Sequence, residues 1–491
     1  MRGLFLGPIS QTLFLGVFLT GGVDHDAAVE TIKQRILATK EGAGRREERK
    51  VEQTRKRKEI SGEDSKPKRP RIEGSGGNAS PLTEEEMVPP LVGGTPFSPR
   101  FQLLIFVLAK LKRLQCSCGT LEFVSTSGNE QEDHLLDYRH HWPEIVACIP
   151  GCSRRGTADL SRIEVAIVVK ADESHDPFRD LHPLDERPAT DNNARVEADT
   201  PDGMKTLGQM TTWVEAQMAQ QLRPWAFSVV ICGDYARLVR WDRSGAVFTS
   251  RFDYKTSDHM ERFFTSYGGL DERSRGVDTS ITILEDDDQR VKTAKEGFGF
   301  RPLHGPQPRF YEFRLGPDRS VVGYSPDSST SSLIGKASRP FIVWDSAAQK
   351  KRFLKDTWRI DLPGMVVEGE IYELLESNQV PHVASVIWHG DVDEQQTLTS
   401  KLCVNLSDTY AMQPLTPHKH YRLVLDKVGR PCTEYNNQCH FFTIIRQATK
   451  GECGPPTHLL SPTHMLTSSQ PIGRPTVSQG YCMATSACGI S

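Results

Sequence analysis

Apolar residues recur at helical spacing in two long stretches, and between them lie shorter apolar runs bounded by turn sequences. The first stretch begins near Phe101 and the second covers residues 207–222, and each predicts an amphipathic helix. Runs at 121–124, 145–149 and 163–170 predict strands. The last run is almost wholly β-branched and apolar, which favours a buried central strand.

Three further apolar runs, at 226–231, 236–241 and 247–252, are joined by short turns. The first turn is Gly233-Asp234, and the second is the polar segment 242–245. This order predicts an antiparallel meander. A polar segment rich in Asp and Pro at 172–202 predicts an insertion. We therefore expect residues 101–320 to form an α+β domain with a mixed sheet.

A second region, residues 321–440, combines strand patterns with one helix pattern. It predicts a strand ending in Lys355, a helix that carries Glu370, and strands at 386–389 and 421–425. We expect an antiparallel sheet with one helix. The polar segment beyond residue 440 lacks periodicity and predicts a disordered tail, 441–491.

The first 39 residues predict a short helical segment. An apolar run from Leu13 to Leu19 has the length of a signal-peptide core, but Pro8, Ser10 and Gln11 interrupt it, and no small-residue cleavage site follows. The sequence therefore favours a retained segment.

Residues 40–100 predict a disordered linker. Between residues 40 and 71 there are thirteen Lys or Arg and seven Asp or Glu, with few apolar residues. Two basic clusters lie seven residues apart: Arg55, Lys56, Arg57 and Lys58, then Lys66, Lys68, Arg69 and Arg71. Their spacing suits a bipartite signal for an import receptor, and hence a nuclear location. A plain charged linker and a nucleic-acid-binding segment remain the alternatives.

Composition adds few constraints. The chain of 491 residues has a formal net charge of -3, so its overall charge favours neither a nucleic-acid nor a membrane partner. No apolar stretch has the length of a membrane span. The eleven cysteines have no regular spacing, which predicts reduced thiols, an intracellular location and no metal site.

Lys355 and Glu370 form the clearest chemical pattern. A strand lysine followed by a helix glutamate is the pair that holds nucleotide phosphates in phosphotransferases. Glu368 and Glu373 compete with Glu370 for the pairing. Gly335 supplies one glycine in the position of a phosphate-covering loop, where three are usual.

Several ordered segments resemble the fungal-type protein kinase domain family: L-G-Q-M-T-T-W from residue 207, G-K-A-S from 335, F-L-K-D-T-W-R from 353, E-G-E-I from 368, V-P-H-V from 380 and R-L-V-L-D-K-V-G-R-P from 422. The resemblance covers residues 101 to about 435. It implies a kinase-like N-lobe after an accessory domain, with ATP and Mg²⁺ as cofactors and Ser/Thr phosphoryl transfer as the family activity. It also implies a hinge at Asp426 and Val428 that contacts adenine.

The family's H-R-D-I-S catalytic loop and its metal-binding Asp have no counterpart in these 491 residues. We therefore expect a C-terminally truncated, catalytically inactive chain without a C-lobe, and no catalytic residue is assigned.

Two other classes of function remain open. Pro143-Glu144 and the strand that ends in Lys170 are similar to a P-D…(D/E)-x-K nuclease arrangement, but Val168 replaces the second acidic residue. The other alternative is a non-catalytic nuclear scaffold or nucleic-acid-binding protein.

Overall fold

The computed structural model describes residues 3–19, 30, 34, 99–118, 120–126, 143–151, 153–154, 157–158, 160–181, 196–299, 308–325, 332–403, 414–429 and 437–452. The basic clusters at 55–71 and the tail beyond 452 lie outside this set. Among the described residues, no helix combines the length and apolar character needed to cross a bilayer.

The first domain is built on a mixed sheet. Its strands are β1 Phe5–Ile9, β2 Glu122–Ser125, β3 Ile145–Cys148, β6 Ile163–Lys170, β7 Ala226–Cys232, β8 Tyr235–Asp242, β9 Gly245–Thr249 and β10 Phe252–Asp253, while β4 Ser153–Arg154 and β5 Thr157–Ala158 form a separate hairpin. The strand order is β1-β9-β8-β7-β6-β3-β2, with β10 beside β8. β1 runs parallel to β9 and β6 parallel to β7, and the other pairs are antiparallel.

Helices α1 Gln11–Phe18, α2 Pro99–Cys118, α3 Pro201–Gln220 and α4 His259–Gly268 pack on this sheet. The predicted helices, the β7-β8-β9 meander and the central position of β6 are confirmed. β6 is buried along seven of its eight residues because strands flank it and helices cover both faces. The insertion after β6 is anchored by Phe178, which stacks on Phe248.

Residues 3–19 differ from the helical segment predicted for residues 1–39, because they form a strand and a helix of the first domain; apart from residues 30 and 34, the rest of that segment lies outside the described residues. β1 extends the sheet, and Phe14 of α1 is fully buried among the residues of the first domain's core. Ser10 caps α1 by accepting a hydrogen bond from Leu13 N at 3.3 Å. The apolar run at 13–19 is therefore core sequence of the folded domain.

The second sheet is antiparallel, as predicted. Its strands are β11 Ile281–Leu284, β12 Phe310–Gly316, β13 Arg319–Tyr324, β14 Arg339–Asp345, β15 Lys350–Ile360, β16 Val386–Gln396 and β17 His418–Leu425. Their order is β11-β12-β13-β14-β15-β17-β16. Helix α5, Gln289–Phe298, and helix α6, Glu368–Ser377, pack on this sheet.

The domain boundary differs from the expected one at 320/321. β11 and β12 precede it in the chain, but β12 pairs with β13 and β11 pairs with β12, and their apolar residues share clusters with the second sheet. The sheet therefore begins at Ile281, and α5 is a second helix on it.

The chain after the sheet also differs from expectation. Helix α7, Gln438–Glu452, occupies the start of the segment predicted to be a disordered tail. Ile444 is buried at 7% exposure, while Phe442 is 65% exposed. Apolar residues at helical spacing explain why this part forms an amphipathic helix.

The two domains interlock through the connection between β16 and β17. Residues 397–403 include a helical segment at 398–403, and Leu398, Leu402 and Leu415 are buried in the same apolar cluster as core residues of the first domain. One domain thus contributes side chains to the core of the other.

The expectation of reduced thiols is met at Cys232, Cys403 and Cys439. It is wrong at Cys148, which forms a disulfide.

Candidate nucleotide site

Lys355 lies in the middle of β15, between Pro340 of β14 and Leu423 of β17. The strand continues for five residues beyond the lysine to Ile360, whereas the sequence predicted that it ends there. Flanked on both sides by paired strands, the lysine is held by a rigid backbone. Its side chain is 16% exposed.

The carboxylate that pairs with Lys355 is Glu368, not Glu370. Lys355 Nζ lies 2.8 Å from both Glu368 Oε1 and Glu368 Oε2. Glu370 instead turns back to the start of α6, where its Oε2 accepts a hydrogen bond from Val367 N at 3.4 Å. Two residues along an α-helix differ by roughly 200° in direction, so only one of the two glutamates faces β15. Glu373, the third candidate, contacts His389 Nε2 at 3.2 Å.

Close packing at Gly369 sets the direction of Glu368. A Cβ at Gly369 would collide with the imidazole ring of His389, so only glycine lets the first turn of α6 approach β16 this closely. Gly369 N also donates a hydrogen bond to the hydroxyl of Tyr421 at 2.9 Å. Tyr421 is 1% exposed, and burial raises the pKa of its phenol far above the ordinary value, so the hydroxyl keeps its proton. These two contacts dock the helix terminus beside Lys355.

Gly335 lies in the connection between β13 and β14, where a kinase carries its phosphate-covering loop. Its N–H donates to the backbone oxygen of Arg243 in the first domain at 2.9 Å. That N–H is therefore engaged within the protein, and contact of Gly335 with phosphate stays a prediction. The next residue, Lys336, accepts a hydrogen bond from Trp358 N at 2.7 Å and is exposed.

The residues predicted to form the hinge, Asp426 and Val428, lie at the other end of β15. Asp426 follows β17, and its Oδ1 accepts a hydrogen bond from Ser385 N at 2.8 Å. Its own N–H donates to Ser385 O, and its carbonyl accepts from Arg352 Nη1 at 3.3 Å. Asp426 thus links the end of β17 to Ser385 and to Arg352 of β15, and its backbone N–H and carbonyl groups both bond within the protein. Val428 is half-buried in the extended segment that follows.

The structure therefore brings Lys355 and Glu368 together and places Gly335 and Asp426 at opposite ends of the same strand. Leu425 lies opposite Phe353, and Lys336 bonds to Trp358. Five residues of β-strand separate these two points, roughly 17 Å at the usual rise per residue. Lys355 lies between them.

A buried polar cluster fixes the opposite face of the same strands. Asp356 Oδ1 accepts hydrogen bonds from His420 Nε2 at 2.7 Å and from Arg422 Nε at 2.9 Å. Arg422 also bonds Asp278 Oδ2 at 2.9 Å. Burial alone raises the pKa of Asp356, but the charges of His420 and Arg422 outweigh it, and the net effect lowers that pKa strongly. The cluster keeps β15 and β17 in register behind Lys355.

The nuclease-like residues of the first domain also meet, but without a metal-binding geometry. Lys170 Nζ lies 2.9 Å from Glu144 Oε1, and Arg100 contacts the same oxygen at 3.0 Å. Glu144 Oε2 accepts from Val169 N at 2.9 Å. Val168, in the position of the second acidic residue, lies in an apolar cluster. Across the described residues, no group of three or more potential metal ligands is found.

An antiparallel sheet with a central lysine, followed by a helix whose glutamate pairs with it, is the arrangement of a protein kinase N-lobe. The sequence profile described as fungal protein kinase matches residues 192–453, which is more than half of the chain. The chain belongs to this family. The match extends past residue 435, where the sequence predicted that the resemblance stops, and it includes α7. Separate comparisons found no match among the curated proteins and none among the solved structures.

The sequence indicated Glu368 only as an alternative partner for Lys355. It did not indicate that Gly369, Tyr421 and Arg243 contribute to the site. The glycine of the E-G-E-I segment could have indicated close packing at this point. Glycine inside a helix lowers helix stability by about 1 kcal/mol relative to alanine and is kept where packing requires it.

Proposed function

We propose that this chain binds the phosphates of an adenine nucleotide through Lys355 and does not itself transfer phosphate. The observation that carries the proposal is the two-oxygen contact of Glu368 with the Lys355 ammonium at 2.8 Å. A lysine held in this way has a fixed position for charge-assisted hydrogen bonds to phosphate oxygens. The family to which the chain belongs supports ATP as the nucleotide.

The proposal that the chain does not transfer phosphate rests on its sequence and not on the Lys355–Glu368 contact. Phosphoryl transfer needs a carboxylate that accepts the substrate's hydroxyl proton and a second carboxylate that holds Mg²⁺ against the phosphates. Neither an H-R-D nor a D-F-G sequence occurs in the 491 residues. With both groups lacking, any Mg²⁺ would enter with the nucleotide and would be held by its phosphates. We expect binding without turnover.

Two assays on the purified chain test these two parts. Titration with Mg²⁺-ATP, followed by calorimetry, should give saturable binding that Lys355→Met weakens at least tenfold, because a charged hydrogen bond contributes about 1.5–3 kcal/mol. Incubation with labelled ATP and a generic Ser/Thr substrate should transfer no label. Transfer that disappears in Lys355→Met would show that the chain is an active kinase and would refute the proposed inactivity.

The sequence between residues 40 and 71 favours a second candidate function, nucleic-acid binding or a scaffold role in the nucleus. Its thirteen basic residues against seven acidic ones form a local positive charge in a chain of net charge -3. DNA binding that weakens steeply with salt, and that is lost when residues 40–71 are deleted, would support this role. A fluorescent fusion whose nuclear accumulation does not change on that deletion would argue against the import signal.

A further inference from the structure

The turn between β8 and β9 is polar, charged and fully buried. Asp242, Arg243 and Ser244 are exposed by 2%, 1% and 3%. Hairpin turns normally lie at the surface, since a buried turn must find partners for all its polar groups. This turn belongs to the first domain, and it contacts both Arg223 O of its own domain, at 3.3 Å from Arg243 Nη2, and segments of the second domain.

Arg243 directs its side chain to the connection that precedes β14. Its Nη1 donates to Ser332 O at 2.7 Å and to Leu333 O at 3.2 Å, and its backbone oxygen accepts from Gly335 N at 2.9 Å. Three bonds thus join one residue of the first domain to three residues of the second, Ser332, Leu333 and Gly335, within the short segment 332–335. Leu333 adds an apolar contact, because it is buried in a cluster of first-domain residues.

The guanidinium is engaged by carbonyl groups instead of by a counter-charge. Arg243 forms no ion pair with any carboxylate of the described residues, and burial together with the like charge of Arg339 lowers the pKa of its guanidinium to about 9. Placing a cation in such a site is unfavourable unless strong hydrogen-bond acceptors surround it. An apolar contact would join the two domains without the free-energy cost of burying a cation. We therefore infer that the N–H groups of Arg243 hold the backbone of the connection in one conformation.

The anchored segment continues into β14 and is hydrogen-bonded to β15, the strand that carries Lys355. Lys336 O accepts hydrogen bonds from Trp358 N at 2.7 Å and from Thr357 Oγ1 at 3.0 Å. Two residues after Ser338, Pro340 lies opposite Lys355 in the sheet. A chain of direct bonds therefore runs from Arg243 through residues 332–336 to β15, close to the lysine.

We propose that Arg243 is a positioning residue for the nucleotide site, through which the first domain fixes the base of the phosphate-covering connection beside Lys355. This inference rests on the proposed nucleotide binding. It gives the first domain a defined role in the site, since the base of the connection is shaped by the β8–β9 turn as well as by the sheet that contains it.

The test uses the full-length chain with Arg243→Ala and Arg243→Lys. Arg237→Ala is the matched control, because Arg237 is a buried arginine of the same strand pair that bonds Asp176 and Thr249 O, within the first domain. Hydrogen exchange reports on the amide of Gly335, whose bond to the backbone of residue 243 does not itself need the side chain. Affinities are measured for both ATP and adenosine. Because adenosine lacks phosphates, a loss that affects only ATP identifies contacts to the phosphates.

In Arg243→Ala we expect exchange at Gly335 to be faster by about tenfold or more, and ATP affinity to fall by about tenfold, since one or two bonds to a charged group are lost. Adenosine affinity should stay within about twofold. Arg243→Lys should restore part of the loss, because its ammonium keeps the charge but lacks the planar fork. The Arg237→Ala control should leave exchange at Gly335 unchanged.

Three results would overturn the inference. Unchanged exchange at Gly335 in Arg243→Ala would show that the side chain does not hold the connection. An equal fall in ATP and adenosine affinity would show that the residue serves only stability. Unchanged ATP affinity in Arg243→Ala, when the wild type does bind ATP, would show that the connection held by Arg243 does not contribute to nucleotide binding. A wild type that binds no ATP is a different failure, because it contradicts the proposed function itself, and the inference with it.

Discussion

Replacing Asp242 by alanine should destabilise both domains together. The carboxylate is 2% exposed, and its Oδ2 accepts hydrogen bonds from Leu398 N, Thr399 N and Thr399 Oγ1, each at 2.9 Å. These bonds cap the helical segment at 398–403 in the second domain. The same oxygen lies 3.0 Å from Arg240 Nη1, and Arg240 is itself buried.

The magnitude follows from these contacts. Loss of the cap costs about 1 kcal/mol, and removal of one partner of a buried ion pair costs about 3–5 kcal/mol. The rings of Phe18 and Trp225 lie 5.1 and 5.2 Å from the Arg240 guanidinium and offset part of this cost. We therefore expect Asp242→Ala to lower the free energy of unfolding by about 4 kcal/mol.

Urea unfolding followed by tryptophan fluorescence measures this change. Asp242→Asn is the informative companion, because it keeps an acceptor for the helix but loses the charge, and it should lie between alanine and the wild type. Adding Arg240→Met to Asp242→Asn should recover stability, since the unpaired cation is then removed. A loss of less than about 1 kcal/mol in Asp242→Ala would refute the claim that this turn joins the domains.

Three further predictions concern the site and its surroundings. Glu368→Gln should weaken ATP binding in calorimetry by about tenfold whereas Glu370→Gln changes it little, because only Glu368 contacts the lysine; the reverse order would contradict the pairing. Gly369→Ala should push the first turn of α6 off the sheet and lower both the thermal midpoint and ATP affinity, and an unchanged midpoint would show that the close approach is dispensable. Burial lowers the pKa of His418 below 6.5, so below that pH the unfolded chain binds a proton that the folded chain does not; stability should fall on acidification in urea titrations between pH 7 and 5, and His418→Gln should flatten that slope.

Local patterns predicted most elements of the first domain, because their signals lie within short stretches of sequence. The β7-β8-β9 meander follows from apolar runs and two turn sequences, and β6 from its continuous apolar character. The addition of β11 and β12 to the second sheet, through the pairing of β12 with β13, was not predictable in this way. It depends on contacts between the faces of strands, and nothing within residues 281–316 indicates which sheet they join.

The site was predictable in type but not in detail. Lys355 follows from its strand and from the glutamates after it, but the choice of Glu368 depends on the rotation of α6 against the sheet. That rotation is set by Gly369 against His389, residues twenty apart in the chain. Residues 242–244 have the sequence of an ordinary exposed turn, and their burial depends on contacts with distant segments, including Ser332 and Thr399 of the second domain.

The most direct test of the account is the affinity of the purified chain for Mg²⁺-ATP, measured by calorimetry for the wild type and for Lys355→Met in parallel. The account predicts saturable binding to the wild type and a loss of at least about tenfold in the variant, with both proteins equally folded by circular dichroism. Equal affinities, or no binding to the wild type, would contradict the claim that the Lys355–Glu368 pair forms a nucleotide site.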